Sequence, residues 1–349
     1  MDSAERDRVL LRVVGSPDRY GKQVDGVGGA TSSTSKVVLI SRSSRPDCDV
    51  DYLFGQVAVD KPVIDWSGNC GNLSAAVGPF AIANGLLTAT EDGVVTVRIW
   101  QANIRKKILA HVAVHNGEVQ EEGDFTLDGV AFPSAEVKLE FLDPAAETNE
   151  GAANGGMLPT GNAVDVLDVP GVGRVEATLI NAGNPTIFVQ ASALGLRGTE
   201  MQDDINGATE TLQRAEAIRA HAAVRMGFVA SAAEATARRP HTPKLAFVSP
   251  PASYTASDGR EVLADKIDLV ARIFSMGQLH HAMTGTGGDA LAVDPCPARS
   301  CLRADISCQA DHRDRALRRW RQGHQGRGHQ ARLGRARLSI IESNAKERP

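Results

Sequence analysis

The first half of the chain contains the glycine-rich turn Ser67-Gly68-Asn69-Cys70-Gly71-Asn72, which leads into an apolar helical run that begins at Leu73. A similar segment lies in the second half, where His281-Ala282-Met283-Thr284-Gly285-Thr286-Gly287 precedes a run of small residues. Such turns present backbone N–H groups and the positive end of a helix dipole, which suits a carboxylate or a phosphate. Two of them in corresponding halves predict a pseudo-symmetric site that holds a small anion between two domains.

Two side chains near the first turn have the chemistry of an active site. Cys70 lies at the start of the predicted helix, where the helix dipole favours the thiolate; the alternative is a small buried hydrophobic residue. Lys36 ends a polar run and precedes a predicted strand, so it is either a partly desolvated base or a solvated strand end. The polar run lacks the residue order of a phosphate-binding loop.

Other candidate ligands carry weaker signals. Arg272 falls in an apolar run that we interpret as a helix, where it is either a carboxylate clamp or an ordinary surface residue. His280 and His281 lack a partner at metal-ligand spacing. Cysteines and a histidine near the C-terminus could be drawn as a metal site, an interpretation that we reject: Cys296, Cys301, Cys308 and His312. We therefore predict no metal, and the absence of a Gly-x-Gly-x-x-Gly turn argues against a Rossmann nucleotide site.

The composition is that of a globular protein with two domains. The chain has 349 residues, of which 42% are hydrophobic and 23% are charged, with a formal net charge of −4. This apolar content excludes a wholly disordered chain, and no apolar run reaches the ~20 residues of a membrane helix.

The first residues lack the apolar core of a signal peptide, so we expect a cytoplasmic protein. Five scattered cysteines argue against a disulfide framework.

Residues 299–349 differ from the rest of the chain. The segment 299–338 contains 11 arginines and 3 aspartates, with neither lysine nor glutamate and no regular apolar period. Three interpretations stay open: translation in a shifted frame, a basic tail that binds nucleic acid, or an ordinary terminal element. We favour the shifted frame, because glutamine, histidine, glycine and alanine fill the gaps between arginines. We therefore expect no nucleic-acid partner.

The remaining sequence predicts a mixed α and β protein that is rich in strands. Short β-branched or alternating runs indicate strands at 37–40, 57–59, 94–100, 108–114, 175–181, 186–189 and 245–248. Apolar residues near 3.6 spacing indicate a helix over 200–235, and a second helix is predicted at about 263–274. Residues 143–156, rich in alanine, asparagine and glycine, form the predicted linker between the halves.

Several stretches of the chain are longer than single motifs and match a known pattern. They include Gly15-Ser16-Pro17-Asp18-Arg19-Tyr20-Gly21-Lys22-Gln23, Asp51-Tyr52-Leu53-Phe54-Gly55-Gln56, the segment 65–78 around the first glycine-rich turn, and Ile180-Asn181-Ala182-Gly183-Asn184-Pro185. Together with 25–36, 43–46 and 275–286, they resemble the PrpF family of methylaconitate cis–trans isomerases, within the diaminopimelate-epimerase-like superfamily. The resemblance covers about residues 9–287.

The resemblance implies an α+β fold with two pseudo-symmetric epimerase-like domains, each a curled β-sheet around a central helix, with the active site in the cleft between them. We place these domains at 1–145 and 146–298, followed by the tail 299–349. The resemblance further implies a cofactor-independent isomerase that shifts an allylic proton on a small unsaturated tricarboxylate. Its substrate would be 2-methyl-trans-aconitate, converted to 2-methyl-cis-aconitate in the methylcitrate cycle of propionate catabolism. Tautomerisation of 4-oxalomesaconate and isomerisation of methylitaconate stay open as alternatives.

The resemblance also implies roles for individual residues. Lys36 matches the candidate base, and Cys70 lies beside it in the site. The epimerase relatives use a cysteine in each half, whereas we place Met283 where the second one is expected, so two-thiol racemisation is disfavoured. The predicted binding residues, whose N–H groups and side chains would hold the substrate carboxylates, are Ser35, Asn69, Gly71, Asn72, Arg272, Met283, Thr284, Gly285, Thr286 and Gly287.

Both ends of the chain depart from the family pattern. The first domain lacks the expected opening strand, and the arginine-rich tail replaces the closing elements after about residue 292, which would expose apolar strand edges. We therefore expect a chain that is unstable or inactive. Two rival interpretations are an amino-acid epimerase on the same fold and a non-catalytic accessory protein that binds an aconitase-like dehydratase. The sequence leaves the oligomeric state open, with a homodimer among the options.

Overall fold

The computed structural model describes residues 2–89, 92–126, 130–143 and 156–292, which form two main β-sheets. The first sheet consists of β1 (Lys36–Arg42), β2 (Val50–Val57), β3 (Ile64–Asp65), β4 (Gly93–Gln101), β5 (Lys106–His115), β6 (Glu118–Val119) and β7 (Val137–Phe141). Its order is β1-β2-β4-β5-β6, with β3 beside β2 and β7 beside β5. Only β2 and β4 pair in parallel among the strand pairs of this sheet that the structure describes.

The second sheet follows in the chain and has six strands. The strands of this half are β8 (Asp165–Val169), β9 (Gly173–Ala182), β10 (Asn184–Gln190), β11 (Lys244–Ser249), β12 (Tyr254–Thr255), β13 (Glu261–Val262), β14 (Val270–Ser275) and β15 (Gln278–Leu279). The sheet order is β15-β14-β11-β10-β9-β8, while β12 and β13 form a separate ribbon. β10 and β11 are parallel, and the other neighbours are antiparallel.

Helices cover both sheets on both faces. They are α1 (Ser3–Val14), α2 (Gly71–Ala83), α3 (Gln202–Asn206), α4 (Thr209–Arg225), α5 (Ala232–Arg238) and α6 (Gly285–Ala292), with 3-10 turns at Ala191–Leu194 and Ala264–Lys266. α2 packs in the apolar core of the first sheet, and α1 covers the opposite face. In the second sheet α6 and α4 take the corresponding places.

The two halves repeat one arrangement, although their lengths differ. In each half, an outer helix precedes a strand, a second strand pairs antiparallel with the first, and an inner helix follows. The elements correspond as α1 to α4, β1 to β11, β2 to β14 and α2 to α6. In the first half Lys36 pairs with Gln56, and continuation of the β11–β14 register places Lys244 opposite Ser275. The fold thus contains the internal pseudo-symmetry that the two glycine-rich turns predict.

Most of the predicted strands are confirmed, because each contains an alternating or β-branched run. The strand predicted at 57–59 is wrong beyond Val57, where β2 ends. The helix predicted at 200–235 is divided into α3, α4 and α5. α1 was not predicted; Asp2 caps it by accepting a hydrogen bond from the backbone of Glu5 at 2.7 Å.

The helix predicted at 263–274 is also wrong, since 270–275 form β14. All six residues of β14 are buried, so both faces of the strand carry mostly apolar side chains. A strand buried on both faces loses the alternation that separates strands from helices in a sequence. Most of the predicted linker and the whole arginine-rich tail lie outside the described residues, so the domain limits stay a prediction.

None of the helices in the described part of the chain combines the length and the apolar composition that crossing a membrane would need.

Candidate active site

Lys36 and Cys70, the two residues at the centre of the predicted site, lie in contact. The Nζ atom of Lys36 donates to the Sγ atom of Cys70 across 3.6 Å. Lys36 is the first residue of β1, and Cys70 is the N-cap of α2. Both side chains are half-buried. The strand and the helix thus join an amine and a thiol that are 34 residues apart in the sequence.

Two hydroxyl groups hold the backbone of Cys70 in place. Tyr52 and Ser74 both donate to the carbonyl oxygen of Cys70, at 3.3 Å and 2.8 Å. The side chain of Tyr52 is fully buried in the first sheet, and this burial raises the pKa of its phenol. Because the phenol keeps its proton near neutral pH, it remains a donor to this turn.

The N-termini of α2 and α6 face each other. A Cβ atom placed on Gly71 would lie 3.7 Å from the backbone nitrogen of Thr286 and 3.8 Å from Cα of Gly285. The first N–H groups of a helix have no partner within the helix and carry partial positive charge. The prediction that each glycine-rich turn opens a helix is therefore confirmed, and both helix starts meet where the halves join.

Asn184, which is not among the predicted site residues, connects the two turns. Its side-chain oxygen accepts from the backbone nitrogen of Asn69 at 2.8 Å, and its nitrogen donates to the carbonyl of Asn69 at 2.6 Å and to Oγ1 of Thr286 at 2.9 Å. All three residues are buried. One amide at the start of β10 therefore fixes the start of α2 against the start of α6.

The counterpart of Cys70 in the second half is Thr284, which corrects the assignment of Met283 to that place. Cys70 directly precedes the first residue of α2, and Thr284 directly precedes Gly285, the first residue of α6. Oγ1 of Thr284 accepts from the backbone nitrogen of Gly287 at 3.1 Å, as an N-cap hydroxyl does. Met283 packs instead against the apolar core around α6. The error arose because the sequence gives the start of the helix only to within a residue.

The other predicted binding residues differ in their burial and in what they contact. Ser35 is fully buried and its hydroxyl donates to the side chain of Gln23 at 2.6 Å, which ties down the loop before Lys36. Asn72 is exposed on the first turn of α2. At Gly287 an added Cβ atom would lie 2.8 Å from Oγ1 of Thr284, so a side chain there would displace the cap.

Arg272, the predicted carboxylate clamp, does not join Lys36 and Cys70. It lies on β14, paired with Phe247, on the sheet face covered by α4 rather than on the face covered by α6. Its Nε atom donates to the backbone oxygen of Glu200 at 2.8 Å, and its guanidinium lies 5.3 Å from the ring centroid of Tyr254, while Nη1 and Nη2 are buried without a hydrogen-bond partner. Burial lowers the pKa of this guanidinium to about 10. The cavity beside it measures about 10 Å³, room for one water molecule and too small for a tricarboxylate.

Arg272→Met should therefore test a structural role against the predicted clamp. The variant loses one hydrogen bond, worth about 1 kcal/mol, and the contact with the ring of Tyr254, but it also removes a buried cation whose terminal nitrogens have no hydrogen-bond partner. We expect an unfolding free energy within about 1 kcal/mol of the parent, and a KM for the substrate changed by less than a factor of two. Denaturant unfolding and steady-state kinetics measure the two quantities. A KM raised tenfold with unchanged stability would instead support the prediction that Arg272 binds a carboxylate of the substrate.

A buried cluster beside the site was also missed. Lys244 and His241 are 3% exposed each, with Nζ of the lysine 3.5 Å from Nδ1 of the histidine. The backbone nitrogen of His241 donates to Asp65 at 2.7 Å. Burial lowers the pKa of His241 well below its usual value, and the charges of Lys244 and Lys36 lower it further. These residues carry no local motif, and only the fold brings them to the cleft.

A further polar contact joins the two halves near Lys36. Oγ of Ser33 lies 2.8 Å from Nδ1 of His281 and 3.1 Å from Nε2 of His280, and the two imidazoles stack with centroids 4.3 Å apart. Burial, with the neighbouring charges of His281 and Lys244, lowers the pKa of His280 to about 3. Burial and the charge of Lys36 also lower the pKa of His281. Both imidazoles are therefore held toward their neutral forms.

Within the described ranges, no three His, Cys, Asp or Glu side chains are grouped so that they could hold a metal ion. The cysteine and histidine residues of the rejected metal interpretation lie outside these ranges.

Comparison with known proteins decides the family. A family model described as PrpF protein matches residues 1–308. The chain belongs to the PrpF family. The match extends beyond residues 9–287 at both ends. Among relatives, 2-methyl-aconitate isomerases of Shewanella oneidensis and Cupriavidus necator are each 61% identical over 289 residues, which cover 82% of this chain and 72% of theirs.

More distant PrpF relatives carry related names. A 3-methylitaconate isomerase of Eubacterium barkeri is 42% identical over 286 residues, or 82% of this chain and 73% of the relative. A crystal structure of a methylitaconate-delta-isomerase superposes on this chain with a TM-score of 0.65 at 40% identity, covering 86% of this chain and 76% of the other. With the two sheets and their inner helices, this similarity confirms the α+β epimerase-like fold implied by the sequence.

Proposed function

We propose that this PrpF chain is an isomerase that converts 2-methyl-trans-aconitate to 2-methyl-cis-aconitate by removing an allylic proton and returning it. The observation that carries the proposal is the contact of Lys36 with Cys70 at the meeting point of two helix N-termini. The relatives named 2-methyl-aconitate isomerase support the substrate, since they are 61% identical to this chain. Relatives named for methylitaconate or oxalomesaconate are 42% and 40% identical.

The proposed reaction needs a base and a way to hold negative charge. Lys36 takes a proton from the allylic carbon; the electrons of that C–H bond form a new double bond, and those of the old double bond move toward the conjugated carboxylate. The former double bond is then a single bond, so it can rotate, and the same proton, or one from water, returns to the allylic carbon, which restores the double bond in the cis form. No atom is lost and nothing is oxidised, so an amine of suitable basicity is sufficient.

The helix starts supply the second requirement. The N–H groups of Gly71, Asn72 and Thr286 lie at the two facing N-termini, while the N–H of Gly287 already donates to Thr284. Carboxylates of the substrate would accept from these groups, and the charge that develops during proton transfer would be held by donors already in place. One such donor is worth about 3 kcal/mol in comparable sites. Asn184, which fixes both helix starts, keeps this geometry.

The test is proton NMR in D₂O with three substrates in parallel: 2-methyl-trans-aconitate, 3-methylitaconate and 4-oxalomesaconate. We expect conversion of the first with deuterium entering the product, and a kcat/KM at least tenfold higher than for the other two. A higher kcat/KM for either of the others would replace the proposed substrate. No conversion of any of them by well-folded protein would contradict isomerase activity and favour the accessory role with an aconitase-like dehydratase. That partner and a homodimer stay predictions.

A further inference from the structure

Lys36 and Cys70 are close enough to react with each other as well as with a substrate. The Nζ atom of Lys36 lies 3.6 Å from the Sγ atom of Cys70. Both side chains are half-buried, so each keeps part of its surface in contact with solvent. When a cysteine is oxidised to a sulfenic acid, its sulfur condenses with a nucleophile that already touches it, and nitrogen is one of the atoms that can do so. The contact therefore brings together the two atoms that such a bond would join.

The position of Cys70 is that of a reactive cysteine. Cysteines that react with oxidants lie at helix N-termini or beside a lysine, and Cys70 is both the N-cap of α2 and the neighbour of Lys36. The same turn has a donor to spare for an added oxygen, because Nδ2 of Asn69 is buried without a hydrogen-bond partner. Oδ1 of Asn69 accepts from the hydroxyl of Ser74 at 3.5 Å, and that hydroxyl also donates to the carbonyl of Cys70.

The described part of the chain offers Cys70 no second thiol across the cleft. The corresponding place in the second half holds Thr284, whose hydroxyl caps α6. Cys48, the other cysteine within the described ranges, is free and only 5% exposed. The amine of Lys36 is therefore the nucleophile that an oxidised Cys70 would meet.

We propose that Lys36 and Cys70 form a site of reversible oxidative modification, at which hydrogen peroxide joins the two side chains through a sulfur–nitrogen bond. In the first step the sulfur attacks one oxygen of the peroxide, the O–O bond breaks, and the thiol becomes a sulfenic acid while one water is released. In the second step the nitrogen of Lys36 attacks this sulfur, the S–O bond breaks, and hydroxide leaves with a proton of the amine as a second water. The sulfur loses two electrons, and these reduce the peroxide.

The link would make both side chains unavailable to a substrate. A thiol reductant restores them, because it attacks the sulfur, releases the amine and ends as its own disulfide. The link also consumes the sulfenic acid before a second peroxide can convert it to the sulfinic acid, which is irreversible. The loss of isomerase activity on linking rests on the role of Lys36 in the proposed function, whereas formation of the link does not.

The experiment treats the full chain with hydrogen peroxide in mildly alkaline buffer, where a larger share of lysine amines is unprotonated. Mass spectrometry after digestion without reductant should show the peptide with Lys36 joined to the peptide with Cys70, lighter by two hydrogen atoms than the two together. Dithiothreitol should abolish this species. Conversion of 2-methyl-trans-aconitate should fall in proportion to the linked fraction and recover with the reductant.

Four variants make the result specific. Lys36→Arg keeps a cation beside the thiol, but its guanidinium stays protonated and cannot attack. In this variant and in Lys36→Met we expect no link, and oxidation of Cys70 to the sulfinic acid instead. Cys48→Ala and Lys61→Met remove the buried cysteine and an exposed lysine, and both should form the link as the parent does.

The parent chain alone is enough to decide the inference. A disulfide between Cys70 and another cysteine, a sulfinic acid at Cys70 beside an unmodified Lys36, or a Cys70 that peroxide leaves unchanged would overturn it. If the link forms in a chain that converts none of the three substrates, the inference holds and the proposed function fails.

Discussion

Lys36→Met should lower kcat by about 10²- to 10⁴-fold, the range that a positioned general base contributes. Methionine has nearly the length of lysine and keeps the apolar stem, but it cannot take a proton. Lys36 is half-buried, and within the described part of the chain its amine donates to the thiol of Cys70. The substitution removes little packing, so we expect the unfolding free energy to change by less than about 1 kcal/mol. NMR of the converted substrate gives the rate, and denaturant unfolding gives the stability.

The matched control is Lys61→Met, which removes an exposed lysine of the same half and should keep both kcat and stability. If Lys36→Met retains more than a tenth of the parental kcat, Lys36 is not the base. A fall in kcat that accompanies a large loss of stability would instead indicate a misfolded site, and binding of a tricarboxylate would then be measured by calorimetry to separate the two.

Asn184→Ala should lower both the free energy of unfolding and kcat. The variant leaves the backbone N–H and carbonyl of Asn69 and the hydroxyl of Thr286 without their partner in a fully buried place. A buried polar group without a partner costs about 1–3 kcal/mol, so we expect a loss of about 3 kcal/mol or more in unfolding free energy. The starts of α2 and α6 would no longer be fixed to each other, and a displacement of about 1 Å in such a site reduces kcat by about 10²-fold.

Asn206→Ala is the control for this substitution. Its amide also exchanges two hydrogen bonds with one backbone unit, that of Leu279, but all of these contacts lie within the second half. We expect a loss of stability without the 10²-fold fall in kcat. Equal falls in kcat for both variants, measured where each remains folded, would show that the bridge between the halves has no special role.

The sequence predicts those parts of the site whose signals are local. Gly71 and Gly285 each open a helix, and Lys36 begins a strand, as the turns and the β-branched run indicate. Asn184 and Lys244 could not be found this way. Asn184 meets Asn69 across 115 residues, and no periodicity reports a pairing at that distance.

Arg272 is a residue that the sequence did predict for the site, but wrongly. Its neighbours are apolar on both faces of β14, so the sequence suggested a helix and an arginine directed to the substrate. Strand alternation turns its side chain away from the cleft, and only the register of β14 against β11 reveals this.

Thr284 makes the two sides of the pseudo-symmetric cleft chemically different, because it places a hydroxyl where the first half has the thiol of Cys70. An enzyme that inverts a stereocentre needs one group that removes a proton and a second group that delivers one to the opposite face of the same carbon. Here the hydroxyl of Thr284 serves as a helix cap, and it has no acidity near neutral pH with which to replace a thiol. For the reaction proposed above, the proton therefore leaves and returns on the face that Lys36 and Cys70 occupy. Removal and return of a proton on one face is sufficient to convert a trans double bond to a cis one, whereas inverting a stereocentre would also need a proton donor on the opposite face.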